Sequence, residues 1–112
     1  MIFNSTRKAE LSQEHTLCKS QFSKSMGLMF RLKPKSLVFV FEKPKIVPLH
    51  MFFVFFPIDV LYLDKSKKVI EIKEKFMPFS FYTPKRKASY VVELPMLTVE
   101  NTGTKTGDKI SF

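Results

Sequence analysis

The amino-acid sequence predicts a mainly β domain, borderline α+β, folded as a compact sandwich or barrel with one short N-terminal helix. Its apolar runs are short and rich in Val, Ile and Phe, and turn residues separate them, which is typical of strands. Only the stretch from Leu17 to Met26 has the apolar spacing of a helix. The chain has 112 residues, enough for one hydrophobic core. We therefore expect residues 1–112 to form a single domain.

The N-terminal third is predicted to contain a hairpin followed by the helix. Ile2–Ser5 and Lys8–Leu11 are short strand-like segments on either side of a two-residue turn. The helix is predicted over Leu17–Met26, because Thr16 is a suitable N-cap and Gly27 a suitable C-terminal stop.

Strands are predicted to dominate the rest of the chain. Leu37–Glu42 is apolar on both faces, which indicates a central strand. Further strands are predicted over Met51–Phe56, Ile58–Leu63, Lys68–Lys75, Tyr90–Leu94 and Asp108–Phe112. Thr98–Asn101 is expected to form one helical turn that ends at Gly103.

One apolar stretch resembles a membrane span but is better explained by two buried strands. The run from Ile46 to Leu63 lacks Lys and Arg, yet Pro48 and Pro57 interrupt it and Asp59 is charged. A spanning helix needs about 20 mostly apolar residues without such breaks. The N-terminus also lacks the apolar segment of a signal peptide. We expect a cytoplasmic protein that does not bind a membrane.

The distribution of charge leaves two interpretations open. The 19 Lys and Arg residues outnumber the 10 Asp and Glu residues and give a net charge of +9. The surplus lies in residues 1–36 and 64–112, whereas residues 37–63 are neutral. Two basic arms of this kind attract phosphates or anionic lipids. The same charges also suit a Lys-rich surface that keeps a small apolar domain in solution.

Cysteine and metal-ligand spacing predict neither a disulfide nor a metal site. Cys18 is the single cysteine, so it is expected to be a small buried hydrophobic residue. His15, Cys18, His50 and Asp59 are metal-ligand types, but their spacing matches no standard site. No catalytic signature occurs. We expect no cofactor and favour a protein that is not an enzyme.

The leading functional hypothesis is an apolar cleft with polar side chains that bind a small ligand or a protein. Its predicted ligand-binding residues are Arg31, His50, Asp59 and Tyr82. A partly buried carboxylate such as Asp59 must be hydrogen-bonded or paired. The alternative for Asp59 is therefore a structural role, at the turn after Pro57 or as the partner of Arg31.

The second hypothesis is association with RNA or single-stranded DNA. Lys85, Arg86 and Lys87 form a basic run between Tyr82 and Tyr90. Cations near stacking aromatic rings are the groups that bind single-stranded nucleic acid. A solvated loop explains the same run, and the Phe-rich segments fit either a monomer or a homodimer.

Several blocks of the sequence resemble a known family. They occur in the family's order and cover nearly the whole chain: Gly27–Arg31, Leu37–Phe41, His50–Asp64, Tyr90–Leu94 and Thr106–Asp108. The match is to domain-of-unknown-function family 192, also known as uncharacterised protein family 0127. The commoner family pattern has Lys-Asn-Thr after the Met, whereas this chain has residues 52–54 as Phe-Phe-Val, which resembles the archaeal branch. The resemblance implies a compact β-sandwich or barrel-like fold, with no established activity or cofactor.

Overall fold

A computed structural model describes residues 1–19, 36–51 and 54–112 of the chain. The first five strands are β1 (Ile2–Asn4), β2 (Ala9–Ser12), β3 (Thr16–Cys18), β4 (Leu37–Lys45) and β5 (Leu49–His50). The next five are β6 (Ile58–Leu63), β7 (Val69–Phe76), β8 (Phe81–Tyr82), β9 (Ala88–Pro95) and β10 (Ile110–Ser111). The helix α1 (Thr98–Thr102) lies between β9 and β10. A mainly β fold with a short helix is thus confirmed.

The central sheet has five strands in the order β3-β4-β9-β6-β7. β6 and β9 pair antiparallel over six positions, from Ile58 opposite Pro95 to Leu63 opposite Tyr90. All six residues of β6 are buried, because hydrophobic side chains cover the sheet on both sides. The predicted central character of residues 37–42 is confirmed, since β4 lies between β3 and β9.

Successive side chains along β6 point to opposite faces of the central sheet. We call one the Tyr62 face; Ile58, Val60 and Tyr62 belong to its hydrophobic cluster. Residues of the 46–56 segment and of β5 and β8 pack against this cluster. We call the other the Leu61 face; Leu61 and Leu63 belong to its cluster.

A second layer covers the Leu61 face. It consists of a three-stranded sheet with the order β10-β1-β2, together with α1. Ile2, Leu11 and Ile110 from the sheet and Val99 from the helix complete the cluster. The hairpin predicted at the N-terminus is confirmed, and so is the helical turn, which ends at Gly103 with φ of 70°.

Two sequence predictions were wrong in the part of the chain that the structure describes. Leu17 and Cys18, predicted to begin a helix, lie in β3 and pair in parallel with β4; the segment 20–26 of that predicted helix lies outside the described residues. A long-range pairing decided this conformation, and local spacing carries no sign of it. Met51–Phe56 was predicted as a strand, but its described residues 51 and 54–56 lie outside any strand, and the Val54 N–H donates to the Met51 carbonyl (3.3 Å).

No helix among the described residues is long and apolar enough to cross a membrane.

Candidate functional site

Asp59 is a buried structural carboxylate on the Leu61 face. Its Oδ1 accepts a hydrogen bond from the Lys75 N–H (3.0 Å), and its Oδ2 accepts one from the Val99 N–H (2.9 Å). Lys75 has a left-handed backbone with φ of 51°, so Asp59 fixes both an irregular point in β7 and the first turn of α1. Backbone donors therefore occupy both oxygens. The turn after Pro57 and Arg31, the partners that the sequence suggested, are not needed to explain its burial.

The layer that covers the Leu61 face contains a second buried polar group, centred on Asp108. Its Oδ2 accepts hydrogen bonds from Asn4 Nδ2 (3.0 Å), Arg7 Nε (2.9 Å) and the Lys105 N–H (2.9 Å). Burial by itself would raise the pKa of Asp108, but these hydrogen bonds hold it below its usual value. Asn4 Nδ2 also donates to Thr104 Oγ1 (3.0 Å). This network joins the two ends of the chain.

Polar side chains also lie side by side on the Tyr62 face. Cross-strand pairing places Val60 between Glu93 and Lys73, and it places Glu71 opposite Tyr62. Directly paired residues project to the same side of a sheet. Glu93 and Tyr62 are therefore diagonal neighbours on one face, with Cα atoms about 7–8 Å apart.

Two of these side chains are buried without a polar partner. Tyr62 is 0% exposed and its hydroxyl forms no hydrogen bond in the described structure. Glu93 is 7% exposed, and no side chain from residues 1–19, 36–51 or 54–112 forms a hydrogen bond or ion pair with its carboxyl. Burial raises the pKa of Glu93 to about 8. Glu93 is therefore largely a neutral carboxylic acid at neutral pH, able both to donate and to accept a hydrogen bond.

Burial also raises the pKa of Tyr62 well above its ordinary value, with further contributions from Tyr82, Glu71 and Glu93. Tyr62 consequently stays protonated and keeps a hydrogen-bond donor inside the domain. Sequence analysis missed both Tyr62 and Glu93. The available signal was a charged residue within an otherwise apolar central strand, Tyr90–Leu94.

Tyr82 lies above this pair and is held by Glu71. The Tyr82 hydroxyl donates to Glu71 Oε2, and this hydrogen bond, together with burial, raises the pKa of Tyr82 to about 12. The rings of Tyr82 and Tyr62 have centroids 6.2 Å apart. Lys73 Nζ lies 5.4 Å from the centroid of the Tyr82 ring. Tyr82, which the sequence assigned to a ligand site, therefore does lie beside the buried polar pair.

The structure describes two of the other predicted ligand-binding residues, Asp59 and His50. Asp59 lies on the opposite face of the central sheet, and its oxygens are occupied. His50 is an exposed residue of β5, directly opposite Phe81 of β8. Arg31 lies outside the described residues. The polar side chains that the structure places beside Tyr82 are those of Glu71 and Tyr62.

The basic run is a loop with a fixed backbone. Glu71 Oε1 accepts hydrogen bonds from the N–H groups of Lys85 (3.0 Å) and Arg86 (3.1 Å). The side chains of Lys85, Arg86 and Lys87 are exposed. One carboxylate therefore positions both Tyr82 and the start of the cationic loop.

Exposed aromatic side chains precede this loop on the outer surface above the Tyr62 face. Phe55, Phe79 and Phe81 are 53%, 56% and 76% exposed. The rings of Phe55 and Phe79 meet edge to face, with centroids 5.9 Å apart and an interplanar angle of 70°. We call these three residues together with residues 85–87 the aromatic–basic strip.

Metal-ligand side chains do not assemble in the described segments. No group of three or more His, Cys, Asp and Glu side chains is arranged to hold an ion there. His15 instead packs edge to face against Phe112, with centroids 6.2 Å apart. Cys18 is buried in the cluster of the Tyr62 face, where the sequence had placed it as a small hydrophobic residue.

Together, these features define a small domain with a central β-sheet and a buried polar pair on one of its faces. The chain belongs to the domain-of-unknown-function family DUF192, described as Uncharacterized ACR, whose model matches residues 3–112. This confirms the family resemblance seen in the sequence.

Curated relatives support the same assignment. The chain is 31% identical to a UPF0127 protein of Pyrococcus horikoshii, over 100% of this chain and 98% of the relative. It is 32% identical to a UPF0127 protein of Thermococcus sibiricus, over 100% of this chain and 74% of the relative. These relatives are archaeal.

Two crystal structures share the fold. One is a Sinorhizobium meliloti protein, provisionally described as a transcription regulator, with a TM-score of 0.79 and 26% identity; the match covers 85% of this chain and 78% of that one. The other is a protein of unknown function from Novosphingobium aromaticivorans, with a TM-score of 0.81 and 20% identity; the match covers 88% of this chain and 74% of that one.

Proposed function

We propose that this protein is a non-catalytic binding domain that holds a small ligand on the Tyr62 face. Tyr62 and Glu93 supply the polar contacts, and Tyr82 forms part of the surrounding wall. The observation that carries the proposal is the buried Tyr62 hydroxyl without a partner beside a buried carboxyl. Buried polar groups are nearly always hydrogen-bonded, so the unsatisfied Tyr62 hydroxyl, with the Glu93 carboxyl beside it, is a candidate for contact with a ligand.

The chemistry of the pair indicates the class of ligand. A protonated carboxyl and a phenol together offer two donors and several acceptors, while the neighbouring side chains, such as Val60 and Val91, are apolar. This combination suits an uncharged polar group, such as an amide or a hydroxyl, attached to an apolar body.

A fragment screen followed by ¹H–¹⁵N spectra tests this proposal. Small amides and alcohols with an apolar body should shift the amide resonances of Val60, Tyr62 and Glu93. Tyr62→Phe and Glu93→Gln should each weaken binding about tenfold, the loss expected for one hydrogen bond. Tyr90→Phe makes the same chemical change beside the other cluster and should leave binding unchanged. The assignment would be refuted if fragments bound Tyr62→Phe and Glu93→Gln as tightly as they bind wild type.

A second candidate function, association with nucleic acid, is favoured by a separate observation. Glu71 fixes the backbone of Lys85 and Arg86 while their side chains remain exposed. A loop held in this way presents several cations in a constant arrangement, which is suited to phosphates. A fall in affinity for nucleic acid on changing residues 85–87 to Glu would support this function, and an unchanged affinity would exclude it.

A further inference from the structure

The outer surface above the Tyr62 face is cationic in the part of the chain that the structure describes. Residues 43–51, 54–57 and 76–88 supply it, and these ranges contain five Lys and Arg residues and no Asp or Glu. Lys45 is paired with Ala88, so the end of β4 adds its cation beside the loop 85–87. The acidic group nearest to the loop, Glu71, is occupied by Tyr82 and the loop N–H groups. The surface is therefore complementary to an anion.

Backbone geometry places the aromatic rings on this surface. Phe79 has a left-handed backbone with φ of 60°, a conformation that is unfavourable for a residue with a side chain. The Phe79 N–H donates to the Met51 carbonyl (2.8 Å), and the Met51 N–H donates to the Ser80 carbonyl (2.7 Å). On β8, alternation directs Tyr82 inward and Phe81 outward. These contacts hold the rings of Phe79 and Phe81 at the surface.

The rings and the cations form one continuous strip. Residues 77–87 begin at the end of β7, where Phe76 pairs with Ile58. The segment then turns back along β7, so that the Lys85 N–H donates to Glu71 in the middle of that strand. Phe81 and Lys85 are four positions apart, so their Cα atoms are at most about 14 Å apart. One short stretch of an extended polymer can therefore contact rings and cations together.

We propose that the aromatic–basic strip binds single-stranded nucleic acid, with bases stacked on Phe55, Phe79 and Phe81 and phosphates on Lys85, Arg86 and Lys87. This inference rests on the second function proposed above, and it names both the form of the nucleic acid and the way it is bound. Aromatic platforms beside cationic grooves are the general device for binding single strands.

Exposure of the rings favours a single strand over an anionic membrane. Phe55 and Phe79 are only about half exposed, because their rings pack edge to face against each other. Their exposed parts can stack with a base, whereas insertion into a lipid interface buries a whole apolar face by about 5–10 Å. A duplex hides the faces of its bases within the stack, so it cannot use the rings in this way.

Fluorescence anisotropy with labelled oligo-dT and oligo-U of roughly ten nucleotides tests the inference. The double variant Phe79→Asn and Phe81→Thr removes two rings while retaining residues suited to a left-handed backbone and to a strand. Stacking contributes about 1–3 kcal/mol per base and the variant removes two rings, so it should bind at least about thirtyfold more weakly, with an unchanged salt dependence.

A triple variant with Lys85, Arg86 and Lys87 each changed to Gln should weaken binding and reduce the slope of log K against log salt by about 2, because three phosphate contacts are lost. The matched control changes Lys8, Lys105 and Lys109, exposed residues of the layer that covers the Leu61 face, to Gln. It removes the same net charge and should retain the wild-type slope. Equal losses in the two triple variants would overturn the inference.

Two further probes separate this inference from the function on which it rests. Duplex DNA bound as tightly as the single strands, without any effect of the Phe variant, would overturn the single-strand inference while leaving a general association with nucleic acid. Absence of binding to any nucleic acid at about 50 mM salt would overturn both. Binding to phosphatidylglycerol vesicles but to no oligonucleotide would assign the strip to a membrane instead.

Discussion

The two faces of the central sheet provide different partners for their buried carboxyl groups. On the Leu61 face and in the layer above it, Asp59 and Asp108 accept hydrogen bonds from backbone donors, and Asn4 adds side-chain hydrogen bonds to Asp108 and Thr104. On the Tyr62 face, the carboxyl of Glu93, which is 7% exposed, lies beside the buried Tyr62 hydroxyl, which has no hydrogen-bond partner in the described part of the chain. The satisfied groups join elements of the fold. The unsatisfied Tyr62 hydroxyl reduces stability, and it is the group on which the proposed binding role rests.

The largest expected effect that tests this contrast is the pH dependence caused by Glu93. Its pKa rises from an ordinary 4.5 to about 8 on folding, so the folded state holds the proton more tightly than the unfolded state. The free energy of unfolding should therefore fall as the pH rises from 4.5 to about 8, and level off outside that range. The total change is about 4–5 kcal/mol at most.

Urea unfolding at a series of pH values measures this effect. Gln cannot ionise, so the free energy of unfolding of Glu93→Gln should not decrease over this pH range. The variant should therefore be more stable than wild type above pH 8. Glu100→Gln, at an exposed position of α1, provides the control and should follow wild type. An identical pH dependence in wild type and Glu93→Gln would show that Glu93 is partnered or hydrated, and the contrast between the faces would disappear.

The next effect concerns a satisfied group, Asp59. Asp59→Asn exchanges one acceptor oxygen for an NH₂ donor, so the N–H of either Lys75 or Val99 loses its partner inside the domain. The expected loss is about 2–3 kcal/mol in the free energy of unfolding.

Asp64→Asn supplies the comparison for Asp59. Asp64 accepts hydrogen bonds from the N–H groups of Ser66 and Lys68, but in an exposed turn. All of these bonds go to one oxygen, Oδ1, which the amide oxygen of Asn can replace while its NH₂ group faces water, so the change should cost no more than about 1 kcal/mol. Equal losses in the two variants would mean that Asp59 is accessible to water, contrary to its burial.

The smallest expected effect is the difference in the free energy of unfolding between variants of two tyrosines on the same face. Tyr62→Phe removes a buried hydroxyl without a partner and should raise the free energy of unfolding by about 1 kcal/mol. Tyr82→Phe removes the donor to Glu71 and should lower it by about 1 kcal/mol. Thermal and urea unfolding of both variants measures the difference. The contrast fails if Tyr62→Phe is the more destabilising of the two.

Local patterns predicted most strands because the side-chain period of a strand is visible in sequence. Ile58–Leu63 was predicted with the observed bounds, and the predicted Lys68–Lys75 is within one residue of β7 at either end. Leu17 and Cys18 were predicted wrongly because their strand exists only through pairing with residues 38 and 39. The site shows the same limit. Asp59 and Tyr82 were grouped in one predicted ligand site, which stays a prediction, but Tyr82 lies beside Tyr62 on one face and alternation along β6 places Asp59 on the other.

The sequence by itself determined the mainly β class, the excess of positive charge and the basic run at residues 85–87, because composition and strand periodicity are local properties. The family was indicated separately, by the resemblance of its motif blocks. Tertiary structure alone decided which polar side chains are satisfied. Asp59 meets the Val99 N–H from 40 positions away, whereas Glu93 lies between two apolar neighbours, Leu37 and Val60, on adjacent strands. Hydrogen-bond partners and dielectric surroundings come from cross-strand register and layer packing, which join residues distant in sequence.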